Sequence, residues 1–192
     1  RAAVKSGETV LITGASGGVG SGIIQLCRAR GAIPYAVVGK GKEDAVLALG
    51  AEGAMLRDSE NFAADVERMT GGRPIDVVAD LVGGALFGKL LNVLRPEGRY
   101  TTAGAIAGPV VQLDLRTMYL KQLQLNGSSQ GTRAAFRRVL DYIQSGTIRP
   151  ILAATYPLSK FHEAQTQFMA KRFVGNIVVI PDRHYGEPAQ PA

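Results

Sequence analysis

The sequence predicts an α/β fold: a doubly wound parallel sheet of six strands in the order 3-2-1-4-5-6, followed by a short strand-helix-strand segment. Three observations predict it. Short β-rich runs alternate with helical patterns along the first 146 residues, the rhythm of βα units that build a parallel sheet. The fourth run, "IDVVADLVGG" (75–84), is apolar nearly throughout, as a strand covered on both faces must be. A glycine cluster, "TGASGGVG" (13–20), stands between the first strand and the first helix.

The elements follow in order. "ETVLIT" (8–13) is a strand bounded by Gly7 and Gly14. Val19, Ile23, Leu26 and Cys27 then fall at helical spacing, and Gly31 stands where a glycine stops a helix. "IPYAVV" (33–38) is a strand, "KEDAVLALGA" (42–51) a helix, "GAML" (53–56) a strand and "ENFAADVERMTGG" (60–72) a helix. After the fourth strand come a helix (85–94), the strand "GRYTTAGA" (98–105), a short helix "LDLRTMYL", the strand "KQLQLNG" (121–127) and a helix (132–146). Beyond Pro150 the pattern changes to a strand (151–160), a helix (158–172) and a strand "GNIVVIP" (175–181). The tail 182–192 has no periodicity and is expected to be disordered. The opening "RAAVKSGE" reads as a helix end turning into the first strand, which suggests a piece cut from a longer polypeptide.

A chain of 192 residues, 46% of them hydrophobic, can bury a substantial core for one domain. The net charge of +6 comes from dispersed basic residues, with no nucleic-acid-binding motif among them. Cys27 is the single cysteine, so no internal disulfide forms, and with two distant histidines it makes no metal-ligand spacing. No apolar run approaches the ~20 residues of a membrane span, and residues 1–10 lack the apolar stretch of a signal peptide. The expectation is a cytoplasmic protein with neither a membrane nor a nucleic acid as partner, and no metal.

Glycine loses more conformational freedom on folding than any other residue, so four in eight positions need a reason. A strand precedes the cluster and a helix follows, the context of a dinucleotide-binding fingerprint. Gly14 and Ala15 make the tight exit from the strand. Gly17 lets a pyrophosphate approach bare backbone, and Gly20 lets the helix pack close to the sheet. A turn that only packs helix on strand is the simpler alternative; six βα units around it favour the dinucleotide.

The second strand bears on which dinucleotide. An NAD site usually places Asp or Glu at its tip to hold the ribose hydroxyls. Here the tip reads Gly39, Lys40, Gly41, Lys42, with no carboxylate before the helix. A 2′-phosphate would meet Lys40 and Lys42, with Arg57 next door at the end of the third strand. The expected cofactor is NADPH. Further contacts are expected from loops at the ends of strands 4, 5 and 6: Val82, Gly83 and Gly84; Ala103, Gly104 and Ala105; and Asn126 to Thr132.

At these residues the sequence resembles the cofactor domain of a medium-chain dehydrogenase/reductase, in the zinc-free quinone oxidoreductase, or zeta-crystallin-like, branch. The resemblance is carried by "GETVLITGASGGVGSGIIQL", "ALGAE", "TGGRPIDVVADLVGG", "LRPEGRYTTAGA", "LNGSSQGT", "YPLSKFHEAQ" and "GNIVVIP", and runs from about residue 3 to 181. It implies an NADP-binding domain over 1–150 and a returning segment, 151–181, of a substrate domain outside this sequence. It implies hydride transfer from NADPH to quinones, enones, enals or enoyl thioesters. Ala15, Gly17, Gly18, Val19 and Gly20 would lie at the pyrophosphate, Lys42 at the 2′-phosphate, and Val82 and Ala103 near the nicotinamide. Arg57 stands where many relatives carry Tyr, and Asn176 where many carry Lys. An enoyl reductase unit of fatty-acid or polyketide synthesis and a non-catalytic nucleotide-sensing domain are the alternatives. No catalytic residue is expected within these 192. Strand 6 is an edge in this order, and Leu123 and Leu125 alternate with Gln122 and Gln124, so a homodimer joined along that edge is expected.

Overall fold

The computed structural model describes residues 2–187. Six parallel strands form the main sheet in the order β3-β2-β1-β4-β5-β6: β1 (Thr9–Thr13), β2 (Ile33–Val38), β3 (Gly53–Leu56), β4 (Ile75–Asp80), β5 (Leu94–Thr102) and β6 (Gln124–Gly127). Helices α1 (Gly18–Ala29), α2 (Glu43–Ala48), α3 (Phe62–Thr70) and α4 (Leu86–Val93) connect the first five strands, and α5 (Leu115–Leu120) leads into β6. The predicted strand order and connections are those observed.

Alternate residues of the central strands feed two cores, which is why their sequences are continuously apolar. Val10 and Ile12 of β1, with Ala36, Val38, Val77 and Ala79, pack beneath Ile24 and Cys27 of α1 and Val46 of α2. Leu11, Val37 and Val78 face the other way, under Phe62 and Val66 of α3 and Phe87, Leu90 and Leu91 of α4. Cys27 is buried on the core face, where burial pushes its thiol up to about 11. Val19, read as part of that face, is instead 64% exposed; the close side of α1 is made by Gly20, Ser21, Ile24 and Cys27.

β4, β5 and β7 end three or four residues before the expected ends, at Asp80, Thr102 and Pro157, and two strand starts differ by three residues or more for local reasons. β5 begins four residues early, because Leu94 pairs with Ile75 and is buried, and it tolerates Glu97 at φ 61° in a register shift. β6 begins three residues late. Gln122 takes φ 52°, Leu123 turns into the core, and the Lys121 ammonium leaves the strand to cap α4, donating to the carbonyls of Asn92 and Leu94.

After β6, helix α6 (Arg133–Gln144) starts at Thr132, whose hydroxyl accepts the Ala135 amide. Its apolar residues Phe136, Val139, Leu140 and Ile143 remain exposed. The chain then forms a separate two-stranded parallel sheet, β7 (Leu152–Pro157) and β8 (Asn176–Ile180), joined by α7 (Phe161–Ala170). Gln25 of α1 anchors its approach by exchanging two hydrogen bonds with the Arg149 backbone, at 2.8 and 3.0 Å. The tail, expected to be disordered from 182, opens with an ordered 3₁₀ turn, Asp182–His184. It forms because the Asp182 carboxylate accepts both the amide and the hydroxyl of Ser159. Residues 188–192 lie outside the described residues.

Candidate functional site

The carboxyl ends of β1 and β4 lie side by side where the strand order reverses, the position at which an open α/β sheet leaves a crevice for ligands. β1 runs into the glycine cluster there. Gly14 takes φ 60°, in the left-handed region, and its carbonyl accepts the Gly17 amide at 3.0 Å to close the turn. Ala15 is fully buried beneath the turn and so offers a ligand no side chain. The first bond of α1 runs from the Ser21 amide to the Gly17 carbonyl. The amides of Gly18, Val19 and Gly20 therefore precede the helical ladder, and no side chain caps them; a parallel bridge between Gly17 and Gly175 turns the Gly18 amide toward the Gly175 carbonyl, leaving Val19 and Gly20 to the crevice. Their N–H groups and the helix dipole suit an anion.

The β2 tip lies beside this turn. Gly39 leaves the strand, Lys40 and Gly41 form the turn, and Lys42 sits at the N-terminus of α2, with Glu43 and Asp44 in the first helical turn. Arg57 is placed next to them by its amide, which donates to the Val38 carbonyl at 2.9 Å. Its guanidinium rests on the carboxylate of Asp58 at 3.4 Å. Burial, and then the charges of Arg57 and Lys171, hold the Lys42 ammonium below the usual lysine range. Lys171 was not foreseen in the sequence. It follows α7 in the left-handed conformation, φ 53°, with its ammonium 3.3 Å from the centre of the Phe168 ring. Lys42, Arg57 and Lys171 thus form a cationic cluster with no carboxylate at the β2 tip itself.

Of the remaining expected contacts, Val82 and Gly83 form the loop after β4, and Gly83 and Gly84 both have positive φ. Ala103 and Gly104 form the loop after β5, held by the Ala103 amide on the Asp80 carbonyl at 3.0 Å. A groove of about 660 Å³, whose lining includes Arg57, Ser59, Val82, Gly83, Leu86 and Lys89, runs from the β3 tip to the β4 loop. Gly175, just before β8, donates its amide to the Ser16 carbonyl at 2.9 Å, and so brings Asn176 over Gly18. Two loops, two strand tips and the returning segment therefore surround one crevice. Among the described residues, no three His, Cys, Asp or Glu side chains gather in a metal-binding group, and no helix is long and apolar enough to cross a membrane.

The sequence profile of zinc-binding dehydrogenases matches residues 18–145. The chain belongs to the zinc-binding dehydrogenase family. A putative alcohol dehydrogenase from Sinorhizobium meliloti has the same fold at a TM-score of 0.92, with 68% identity over 95% of this chain and 50% of that one. A 2-octenoyl-CoA carboxylase reductase solved with NADP and 2-octenoyl-CoA superposes at 0.86, with 30% identity over 99% of this chain and 46% of its own. A crotonyl-CoA reductase from Streptomyces collinus is 31% identical over 85% of this chain and 40% of its length. Quinone oxidoreductases stand among the relatives as well. The chain spans about half the length of the curated relatives it matches.

Proposed function

We propose that this chain binds NADPH across the β1, β2 and β4 ends and forms the cofactor half of a reductase for alkenes conjugated to a carbonyl. Enoyl thioesters, enones and quinones make up that substrate class. The observation that carries the proposal is the pairing of an uncapped α1 N-terminus with the Lys42–Arg57–Lys171 cluster beside it. The first suits a pyrophosphate, and the second suits the extra phosphate that separates NADPH from NADH. When bound, NADPH supplies the hydride; the residues here bind and orient it and shield it from water. The backbone of Gly17–Gly20 would take the pyrophosphate, Lys40, Lys42, Arg57 and Lys171 the 2′-phosphate, and the Val82–Gly83 and Ala103–Gly104 loops the nicotinamide end.

In this reading residues 1–150 are the NADP-binding domain, and residues 151–181 belong with a substrate-binding half beyond this sequence. The exposed Phe161 and Val178 of that segment fit such a role. Hydride transfer needs the acceptor held about 3–3.5 Å from the donor, and misplacement costs about 100-fold or more. The 192 residues therefore bind NADPH but do not turn over enones or quinones. The longer protein pairs with a second copy along the β6 edge. Nicotinamide fluorescence tests the reading. Saturable enhancement on adding the chain to NADPH supports it. No change, or sustained NADPH oxidation by this chain with small enones, contradicts it.

A further inference from the structure

Asp80, the last residue of β4, has no exposed surface. Its Oδ1 accepts the Thr13 hydroxyl at 2.5 Å, the Val82 amide at 2.9 Å and the Gly83 amide at 3.1 Å. Its Oδ2 accepts the Tyr100 hydroxyl at 2.5 Å and the Gly83 amide at 3.2 Å. None of the ion pairs among the described residues includes it. Taking a carboxylate out of water is costly, and here hydrogen-bond donors alone replace the lost hydration. Packing alone would be served as well by an apolar side chain at this buried position; the strand's other carboxylate, Asp76, is instead paired with Arg95.

The donors come from three places that the rest of the fold does not link so directly. Thr13 ends β1 and leads into the glycine turn; its hydroxyl also accepts the Leu81 amide at 3.0 Å. Val82 and Gly83 are the β4 loop. Tyr100 lies in β5, and burial followed by the Asp80 carboxylate pushes its phenol well above the usual range. Gly14, next to Thr13, sits so close to Val82 that a Cβ on it would be 3.1 Å from the Val82 Cγ2. One carboxylate thus fixes the spacing between the glycine turn and the β4 loop, and its backbone carbonyl holds the β5 loop through Ala103. Among the described residues it makes no hydrogen bond to the β2 or β3 tips.

We infer that Asp80 is a positioning residue. Acting through Thr13, Val82 and Gly83, it presets the inner part of the cleft for the pyrophosphate and nicotinamide ends of the dinucleotide. It leaves the 2′-phosphate subsite untouched. The inference rests on the NADPH reading above, and preorganisation of this kind acts on affinity by removing an ordering cost.

The test is Asp80→Asn, which keeps the side chain's size but turns one acceptor into a donor facing other donors. NADPH and adenosine 2′-monophosphate are titrated by NMR, and amide exchange is followed at Val82 and Gly83. Expected are a loss of NADPH affinity of about tenfold or more, adenosine 2′-monophosphate affinity within about twofold, and faster exchange at the two amides. Parallel loss of both ligands would mean a merely structural residue and overturn the inference, as would unchanged NADPH affinity. Thr13→Val, which removes the hydroxyl bridging Asp80 to the Leu81 amide, is expected to give the same split and carries the test if Asp80→Asn does not fold. A wild-type chain that binds neither ligand overturns the cofactor reading instead, a result distinguishable from either variant's.

Discussion

A Cβ placed on Gly20 would stand 2.3 Å from the Gly14 carbonyl oxygen and 2.6 Å from the Ala15 Cα. Both obstacles are backbone, so neither can rotate away. A Cβ on Gly18 would come 2.1 Å from the Asn176 Oδ1, the end of an exposed side chain at the start of β8 that is held only by a long 3.5 Å hydrogen bond from its Nδ2 to the Ile151 carbonyl. Gly20→Ala is therefore expected to cost about 1–3 kcal/mol of stability, and Gly18→Ala about 0.5 kcal/mol or less, once Asn176 swings aside. Urea denaturation of the two variants measures the difference.

Cys27 gives stability a dependence on alkaline pH. Its thiol is raised in the folded chain from 9.0 to about 11 by burial, with Arg30 opposing. A group whose pKa is raised by folding contributes stability that is fully present below the unfolded value and is lost as pH climbs toward the folded one. The contribution is thus intact below pH 9.0 and fades up to about pH 11. Cys27→Val removes it, so the difference in unfolding free energy between wild type and variant should shift in that window and be flat below it. A thiol reagent should label Cys27 only as fast as the chain unfolds.

The β6 edge offers a test of assembly that does not disturb the core. Leu123, the natural first choice from the sequence, is buried and unsuitable. The Ser128 amide donates inward to the Thr102 carbonyl at 2.8 Å, so by alternation the Gly127 amide points outward. Gly127 has nothing within 4 Å of its Cβ position. Gly127→Pro should abolish dimers of the longer protein in sedimentation while leaving its thermal midpoint within a few degrees; an unchanged dimer would place the interface elsewhere.

Lys42 makes the preference for NADPH sensitive to pH. Burial, Arg57 and Lys171 hold its ammonium below the usual range, so it gives up its proton at a lower pH than an exposed lysine. As pH rises through that lowered value, the proposed contact with a 2′-phosphate would lose a charge, and NADPH binding should weaken. NADH binding, which lacks the phosphate, should stay level. Lys171→Gln removes one like charge and should move the NADPH inflection to higher pH in a series of titrations.

The fold was legible because its signals are local and repeated: period and glycine punctuation marked every strand, and apolar β4 announced two covered faces. The glycine turn and Lys42 were legible for the same reason, being contiguous with the strands that position them. Lys171 was not, because its approach to Lys42 depends on how the 151–181 segment folds back, 129 positions away in the chain. Asp80 left a fainter trace, a carboxylate inside "VVADLVGG"; its partners Thr13 and Tyr100 are distant in sequence and meet it only through strand register. The early turn in the tail was missed because one side-chain contact, Ser159 to Asp182, decides it.

The measurement that bears most directly on the account is calorimetric titration of the chain and its Lys42→Glu variant with NADPH and NADH. One charge-assisted contact to a phosphate is worth about 1.5–3 kcal/mol, or about one to two decades in affinity. The account predicts that the wild type binds NADPH at least tenfold more tightly than NADH, and that Lys42→Glu removes most of this preference while leaving NADH affinity within a few-fold. A wild type that prefers NADH, or a variant whose preference for NADPH is undiminished, would contradict it.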